Sequence, residues 1–317
     1  MAERKKNNTN QLSQRMVRNN DIFCSLLINQ TNKSIRVIDF RGGNFQLKHN
    51  YLERILLADG MRKIFTLIER DDMSGWSRVG YHREGTIPGY YKRSDAYIMA
   101  RIYDDDWEGI REIEDQPERK NILNDAKILG TELTDLKASG LRAEHVAAEE
   151  ISGLLKVEFA RLAKKAATTK KTKGAKTAGG KETKKTSFSQ VIEDPVFPQF
   201  SRETDSHFFI CSNRRTKQLN LFGAEYQGCF GNAKMDLFFK PKTKADLAIA
   251  RHGLNSFVDW LEVIGAVAIF SLVRADDLET NALFFSAGFR NSGWMHRQLM
   301  TREGPVDQIL WTKKLTV

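Results

Sequence analysis

"FFKPKTKADLAIARHGL" runs from Phe238 to Leu254. An apolar run ends at Pro241 among Lys240, Lys242 and Lys244, and from Ala245 onward the apolar residues recur at helical spacing. Strand, basic loop and helix together can hold a phosphate, because the first amides of a helix are unpaired and its dipole favours an anion there. Such loops usually carry glycine, which lets backbone approach the phosphate closely. Here Ala245, Asp246 and Leu247 stand at the turn. The stretch predicts an electropositive connection without a glycine cradle.

Outward from it, "GNAKMD" (231–236) reads as a strand and residues 245–266 as a helix. Leu247, Ala250, Leu254, Phe257, Val258 and Leu261 share one face of that helix. "AVAIFSLV" (266–273) is a buried strand, and "ETNALFFSAG" (279–288) is a helix stopped by Gly288. "FRNSGWMHRQLM" (289–300) and "DQILWTKKL" (307–315) close the chain as two strands.

The first part follows a similar plan. "SIRVIDF" (34–40) is a β-branched strand, residues 44–60 a helix stopped by Gly60, and "KIFTLIER" (63–70) a second strand. A short helical turn at 72–80 leads to two more strands at 81–91 and 95–103. Aligned on Gly80 and Gly288, both parts carry an aromatic four residues earlier (Trp76, Phe284), one just after (Tyr81, Phe289) and a glycine five on (Gly85, Gly293). Duplication and shared physics both account for this pattern.

The 317 residues, 41% of them apolar, suffice for two domains of ordinary size. The expected class is α/β, with two mixed-sheet domains joined by a helical and Lys-rich disordered linker. Residues 1–21 read as a disordered lead-in without the apolar core of a signal peptide, and 22–103 as the N-terminal α/β domain. Residues 104–187 form the linker, with a helix near 141–166, and 188–317 the second domain. The net charge of +10 is local: from Arg161 to Ser187 nine lysines and one arginine face Glu182 alone. That segment lacks apolar residues able to fold it. Cys24, Cys211 and Cys229 lack CxxC spacing, so cytoplasmic thiols are expected, with no metal site. No apolar run approaches the roughly 20 residues of a membrane span.

"NALFFSAGF" (281–289) resembles the late motif of GNAT-type acetyltransferases, and the quoted loop lies where their acetyl-CoA loop lies. The chain is most similar to the two-domain β-lysine N6-acetyltransferases, through "IRVIDFRG" (35–42), "IPGYYKRSDAYIMARIY" (87–103), "GNAKMD", "LVRA" (272–275) and "LWTKKL" (310–315). The resemblance makes the second domain GNAT-like. It implies transfer of acetyl from acetyl-CoA to the side-chain amine of a β-amino acid made from lysine. The pantetheine arm would lie between two strands splayed after Gly231, with the pyrophosphate on helix amides near Asp246. A base would deprotonate the substrate ammonium, and an acid would serve the tetrahedral intermediate.

The family loop carries Arg-Gly-x-Gly after its proline; Lys244 stands for the arginine, Ala245 and Leu247 for the glycines. The cofactor-binding candidates are Lys240, Lys242, Lys244, Ala245, Arg274 and Asn281, the last also able to cap its helix. Phe284 occupies the place of a tyrosine acid and cannot donate a proton. Tyr226, His252 and His296 are acids by chemistry alone, Asp236 is a possible base or one half of a strand-edge salt bridge, and Asp307 could meet an ammonium. A lone histidine is more often structural than catalytic. The alternative is a non-catalytic GNAT-like protein whose tether at 161–187 binds nucleic acid or another polyanion, non-specifically because it has no aromatic for base stacking.

Overall fold

The computed structural model describes residues 12–104, 117–135, 139–147, 150–151, 204–216, 218–241 and 243–315. The first half runs β1 (Leu12–Arg18), β2 (Phe23–Asn29), β3 (Ser34–Asp39), α1 (Phe45–Asp59), β4 (Lys63–Ile68), α2 (Met73–Arg78), β5 (His82–Ile87) and β6 (Ala96–Ile102). Then come α3 (Pro117–Thr134) and β7 (Leu141–Val146). The second half runs β8 (Thr204–Asn213), β9 (Leu219–Gln227), β10 (Asn232–Leu237), α4 (Lys244–Val263), β11 (Ala268–Arg274), α5 (Leu278–Ser286), β12 (Arg290–Thr301) and β13 (Gly304–Lys314). This is the α/β class that the sequence predicts.

All thirteen described strands join one mixed sheet, in the order β1-β2-β3-β4-β6-β5-β12-β13-β11-β10-β9-β8-β7. The halves meet at the single bridge Gly85↔Gly293 between β5 and β12. They also share a core: Phe65, Ile98 and Ala100 of the first half pack with Phe270, Met295 and Leu310 of the second. The two α/β parts therefore share an apolar face.

The two halves repeat each other in detail. In each, a parallel pair (β3 with β4, β10 with β11) is crossed by a helix, and a short helix and a hairpin follow. Trp76 and Tyr81 meet edge to face at 4.7 Å, as Phe284 and Phe289 do at 5.0 Å. Gly80 and Gly288 have φ of 85° and 79°, a conformation that side chains with a Cβ resist. Arg101 donates to the Val79 carbonyl and Lys313 to that of Ala287, closing the same helix end. The hairpin bulge recurs between Arg83 and Gly85 and between Asn291 and Gly293. Conservation of turns, bulges and ring pairs at matched positions favours duplication over shared physics.

Two sequence expectations change. Part of the lead-in is strand β1, which pairs antiparallel with β2 over seven residues; "LSQRMVR" is mostly exposed because it is the sheet edge, so its composition reads as unstructured. The first residues of the helix expected near 141–166 are instead strand β7, paired with β8; Glu150 and Ile151 are helical, and the remainder of that stretch lies outside the described residues, while Pro117–Thr134 adds the helix α3. Helix α3 docks through Gly130, where an added Cβ would press on Phe285 and the Ala282 carbonyl. The Lys-rich stretch 161–187 lies outside the described residues.

Candidate active site

The parallel pair β10–β11 is joined over only three residue pairs, Asn232↔Ala268 to Lys234↔Phe270. Beyond them β10 runs on to Leu237 and β11 to Arg274 without pairing, while each stays bound to its outer neighbour, β9 and β13. This is the splayed groove that the resemblance requires. Its open end faces the starts of α4 and α5. In the first half β3 and β4 pair over four positions, and Thr66 adds a bond to the Val37 carbonyl.

At the groove mouth, two amides at the start of α4 are bound from within. Thr243 is the N-cap: its Oγ1 accepts from the Asp246 amide, and Asp246 Oδ2 accepts from the Thr243 amide. This is a capping box closed by aspartate. Gln218 donates to the other Asp246 oxygen at 2.9 Å. A carboxylate of the protein itself thus stands on the first turn, where the anion is anticipated. Lys240 pairs with Asp277 (3.0 Å) and Glu279 (3.4 Å), Lys244 with Glu132 (3.6 Å), and Arg274 holds Asp276 through two bonds. Ala245 is exposed on the first turn, and Lys242 lies outside the described residues. Leu247, read as standing for a glycine, belongs to the core at 4% exposure.

Asn281 is fully buried. Its amide nitrogen donates to the carbonyls of Arg274 and Asp277, and its oxygen accepts from Trp311 Nε1 at 2.8 Å. It secures the β11–α5 turn, leaving no group for a cofactor arm, and the N-cap of α5 is Asp277.

Strand alternation separates the faces of the groove strands. Ala233 and Met235 turn to the α4 core, so Lys234 and Asp236 turn to the opposite face, shared with the first half. Glu225 of β9 lies opposite Lys234, and Lys234 Nζ is 2.6 Å from Asp236 Oδ2. Burial raises the Glu225 carboxyl's pKa, with Asp236 adding to the rise and Lys234 and Arg36 opposing it. Two carboxyls and a lysine thus gather beside the groove; of the catalytic candidates named from sequence, only Asp236 is among them. Tyr226 donates instead to the Ile264 carbonyl at the far end of α4, and His252 lies exposed on that helix.

His296 sits in the seam between the halves, within a network invisible in sequence. Arg119 of α3 lies 2.5 Å from His296 Nδ1 and 3.3 Å from Asp307, with its guanidinium over the Trp294 ring. Asp307 also accepts from Trp294 Nε1 and the Arg297 amide. Burial works against its charge, yet bonds from His296, Arg297 and Trp294 hold its pKa well below the usual carboxylate range. These donors tie Asp307 into the seam, although 27% of its side chain remains exposed. Behind it Lys63 and Glu84 are paired at 2.6 Å, and Glu84 accepts from the His296 amide. Among the described residues no cluster of three or more metal-ligating side chains occurs, and no helix is long and apolar enough to cross a membrane.

No family model and no curated protein matches the chain. Among solved structures, it is similar to the spermidine N-acetyltransferase of Vibrio cholerae in complex with CoA and spermine: 11% identity, 56% of this chain and 96% of that one covered, TM-score 0.37. A spermidine N-acetyltransferase chimera from Vibrio cholerae and hSSAT is 16% identical over 34% of this chain, with a TM-score of 0.31; the match spans 66% of the chimera, just under two thirds. A ribosomal-protein-alanine N-acetyltransferase from Brucella melitensis is 15% identical over 34% of this chain and 69% of its own, with a TM-score of 0.30.

Proposed function

We propose that the protein is a GNAT-type N-acetyltransferase that takes acetyl-CoA in the β10–β11 groove and passes the acetyl group to a small, β-lysine-like amine. The observation that carries this reading is the early end of the parallel pairing after Lys234 and Phe270. Strand edges left unpaired there offer backbone donors and acceptors to the amides of a pantetheine arm. Glu225 is the proposed base: a carboxyl raised by burial accepts a proton from an ammonium nearer neutral pH than an exposed one does. Asp236 supplies negative charge to attract the amine. The deprotonated nitrogen attacks the thioester carbonyl, and the collapsing intermediate expels the CoA thiolate, which takes up a proton.

The test is a titration of the full chain with acetyl-CoA, followed by assays of acetyl transfer to β-lysine and spermidine. Glu225→Gln should lower kcat by about 10²-fold or more with KM little changed. Activity should fall as pH drops through the Glu225 pKa, because the base works only when ionised. Absence of both acetyl-CoA binding and amine acetylation would refute the reading.

Asp246 sharpens the test. Its charge would face the cofactor pyrophosphate, a repulsion on the order of 1 kcal/mol. Asp246→Asn should therefore tighten acetyl-CoA binding about fivefold, while costing about 0.5 kcal/mol of helix stability through the dipole. Unchanged affinity, read by calorimetry, would place the pyrophosphate elsewhere. Leu247→Gly, by contrast, would open the core and is no restoration of a loop.

A further inference from the structure

At the other end of the groove strands, beyond their paired segment, a cavity of about 800 Å³ opens between the halves. Four cations line it from three places in the chain: Lys92 from the β5–β6 hairpin, Arg290 from the start of β12, and Lys313 and Lys314 from the end of β13. Among the described residues no acidic one lines it. None of the four cations has a carboxylate partner among the described residues, whereas Lys240, Lys244 and Arg274 at the groove mouth are all paired with acids.

These side chains are held in place. Lys92 adopts a φ of 65°, its amide bonds the Gly89 carbonyl at 3.0 Å, and its Cε packs over Gly231. Lys313 is fixed by its bond to the Ala287 carbonyl and by the Phe289 ring 5.8 Å away. Ser292, whose hydroxyl is buried without a hydrogen-bond partner, belongs to the same lining. The repeat supplies an internal comparison. The matching cavity of the first half, about 510 Å³, carries His49, Arg78, His82 and Arg101, but there Glu53 lies 3.9 Å from Arg101 and 3.8 Å from His49. One of the two matching cavities sets a carboxylate beside two of its basic residues; the other leaves four positive charges lining one space. Gathering like charges raises the local potential, and a bound anion relieves it.

We infer that this cavity binds a phosphate-bearing small molecule of nucleoside diphosphate size. Its volume falls within the roughly 300–1,000 Å³ of small-molecule sites, and its shape is concave where a polymer backbone would need an open stripe. Phosphate oxygens would meet Arg290, Lys314 and Lys92, and Ser292 would donate its hydroxyl. The inference stands independently of the transferase reading, since the paired segments of β10 and β11 separate the cavity from the groove.

The experiment is calorimetric titration of the full-length protein with ADP at 150 mM KCl, with inorganic pyrophosphate as competitor. Saturable one-site binding displaced by pyrophosphate is expected. Arg290→Glu with Lys314→Glu, both at exposed strand ends, should weaken it about tenfold or more per lost contact, while Lys240→Glu at the groove leaves it unchanged. Lys92→Glu, in the hairpin, serves as a second variant should the first pair disturb folding. Absence of saturable binding overturns the proposal. So does binding that survives the cavity variants, since that would assign it to the lysines of 161–187 or to the groove.

Discussion

Gly293→Val will destabilise the protein by about 3 kcal/mol, the upper end of overpacking costs, and lower Tm by roughly 6 °C or more. A Cβ at Gly293 would fall against Gly85 Cα and 2.5 Å from the Glu84 carbonyl oxygen. Both are backbone atoms, so no rotamer change can relieve the clash. Neither strand can shift alone, because β5 is tied to β6 and β12 to β13. Among the described residues this glycine pair is the only strand-to-strand bridge between the halves. Gly42→Ala is the control: its nearest neighbour would be the end of the Asp72 side chain at 3.6 Å, and its effect should be close to zero. Equal thermal midpoints for the two variants would mean that the seam yields freely and does not fix the halves.

The position of that seam explains why the repeat is worth more than its sequence signal. Gly85 and Gly293 are equivalent in the two halves and touch each other, as residues beside a pseudo-two-fold axis must. Each half also reaches into the other. Asn232 at the start of β10 donates to the Tyr90 carbonyl, and the Met300 amide donates to Asn32, just before β3. The "IPGYY" stretch thus serves to cover the second half; Tyr90 packs on Phe270 and Phe230.

Features set by neighbours in sequence are legible: helix periodicity in α4, helix stops at Gly60 and Gly288, and the aromatic–glycine repeat. The groove is expected only through the family resemblance; the basic loop by itself predicts an electropositive connection and no more. What escapes is set by distant residues. The Lys63 ammonium bonds the His296 carbonyl across 233 positions, and no local pattern announces it. Glu225 owes its raised pKa to burial first, which its sequence neighbours do not reveal. Asp246 is visible in sequence as a residue of the turn; its capping role follows from Thr243 three residues earlier. Strand β1 and helix α3 are polar on their exposed faces, and only partners elsewhere in the fold reveal them.

Glu84→Ala will cost about 3–5 kcal/mol, the largest loss expected of any single substitution here, because it leaves the Lys63 ammonium buried without its counter-charge. Lys63 is 1% exposed and Glu84 5%, so water cannot replace the lost partner. Lys63→Met with Glu84→Leu removes both charges while keeping volume, and should recover most of the loss. The pH response separates the variants further. Burial alone would raise the Glu84 pKa, but Lys63, His82 and His296 outweigh it and hold the carboxyl below its usual value of 4.5. A depressed pKa contributes stability above the unfolded-state value, and that contribution is lost as pH falls through the folded one. Urea unfolding from pH 7 down through pH 4 should therefore show the wild type losing stability more steeply below about pH 4.5 than the apolar pair does. Parallel profiles, or a Glu84→Ala protein as stable as the double variant, would mean that water reaches the pair and that hydrophobic packing alone holds the seam.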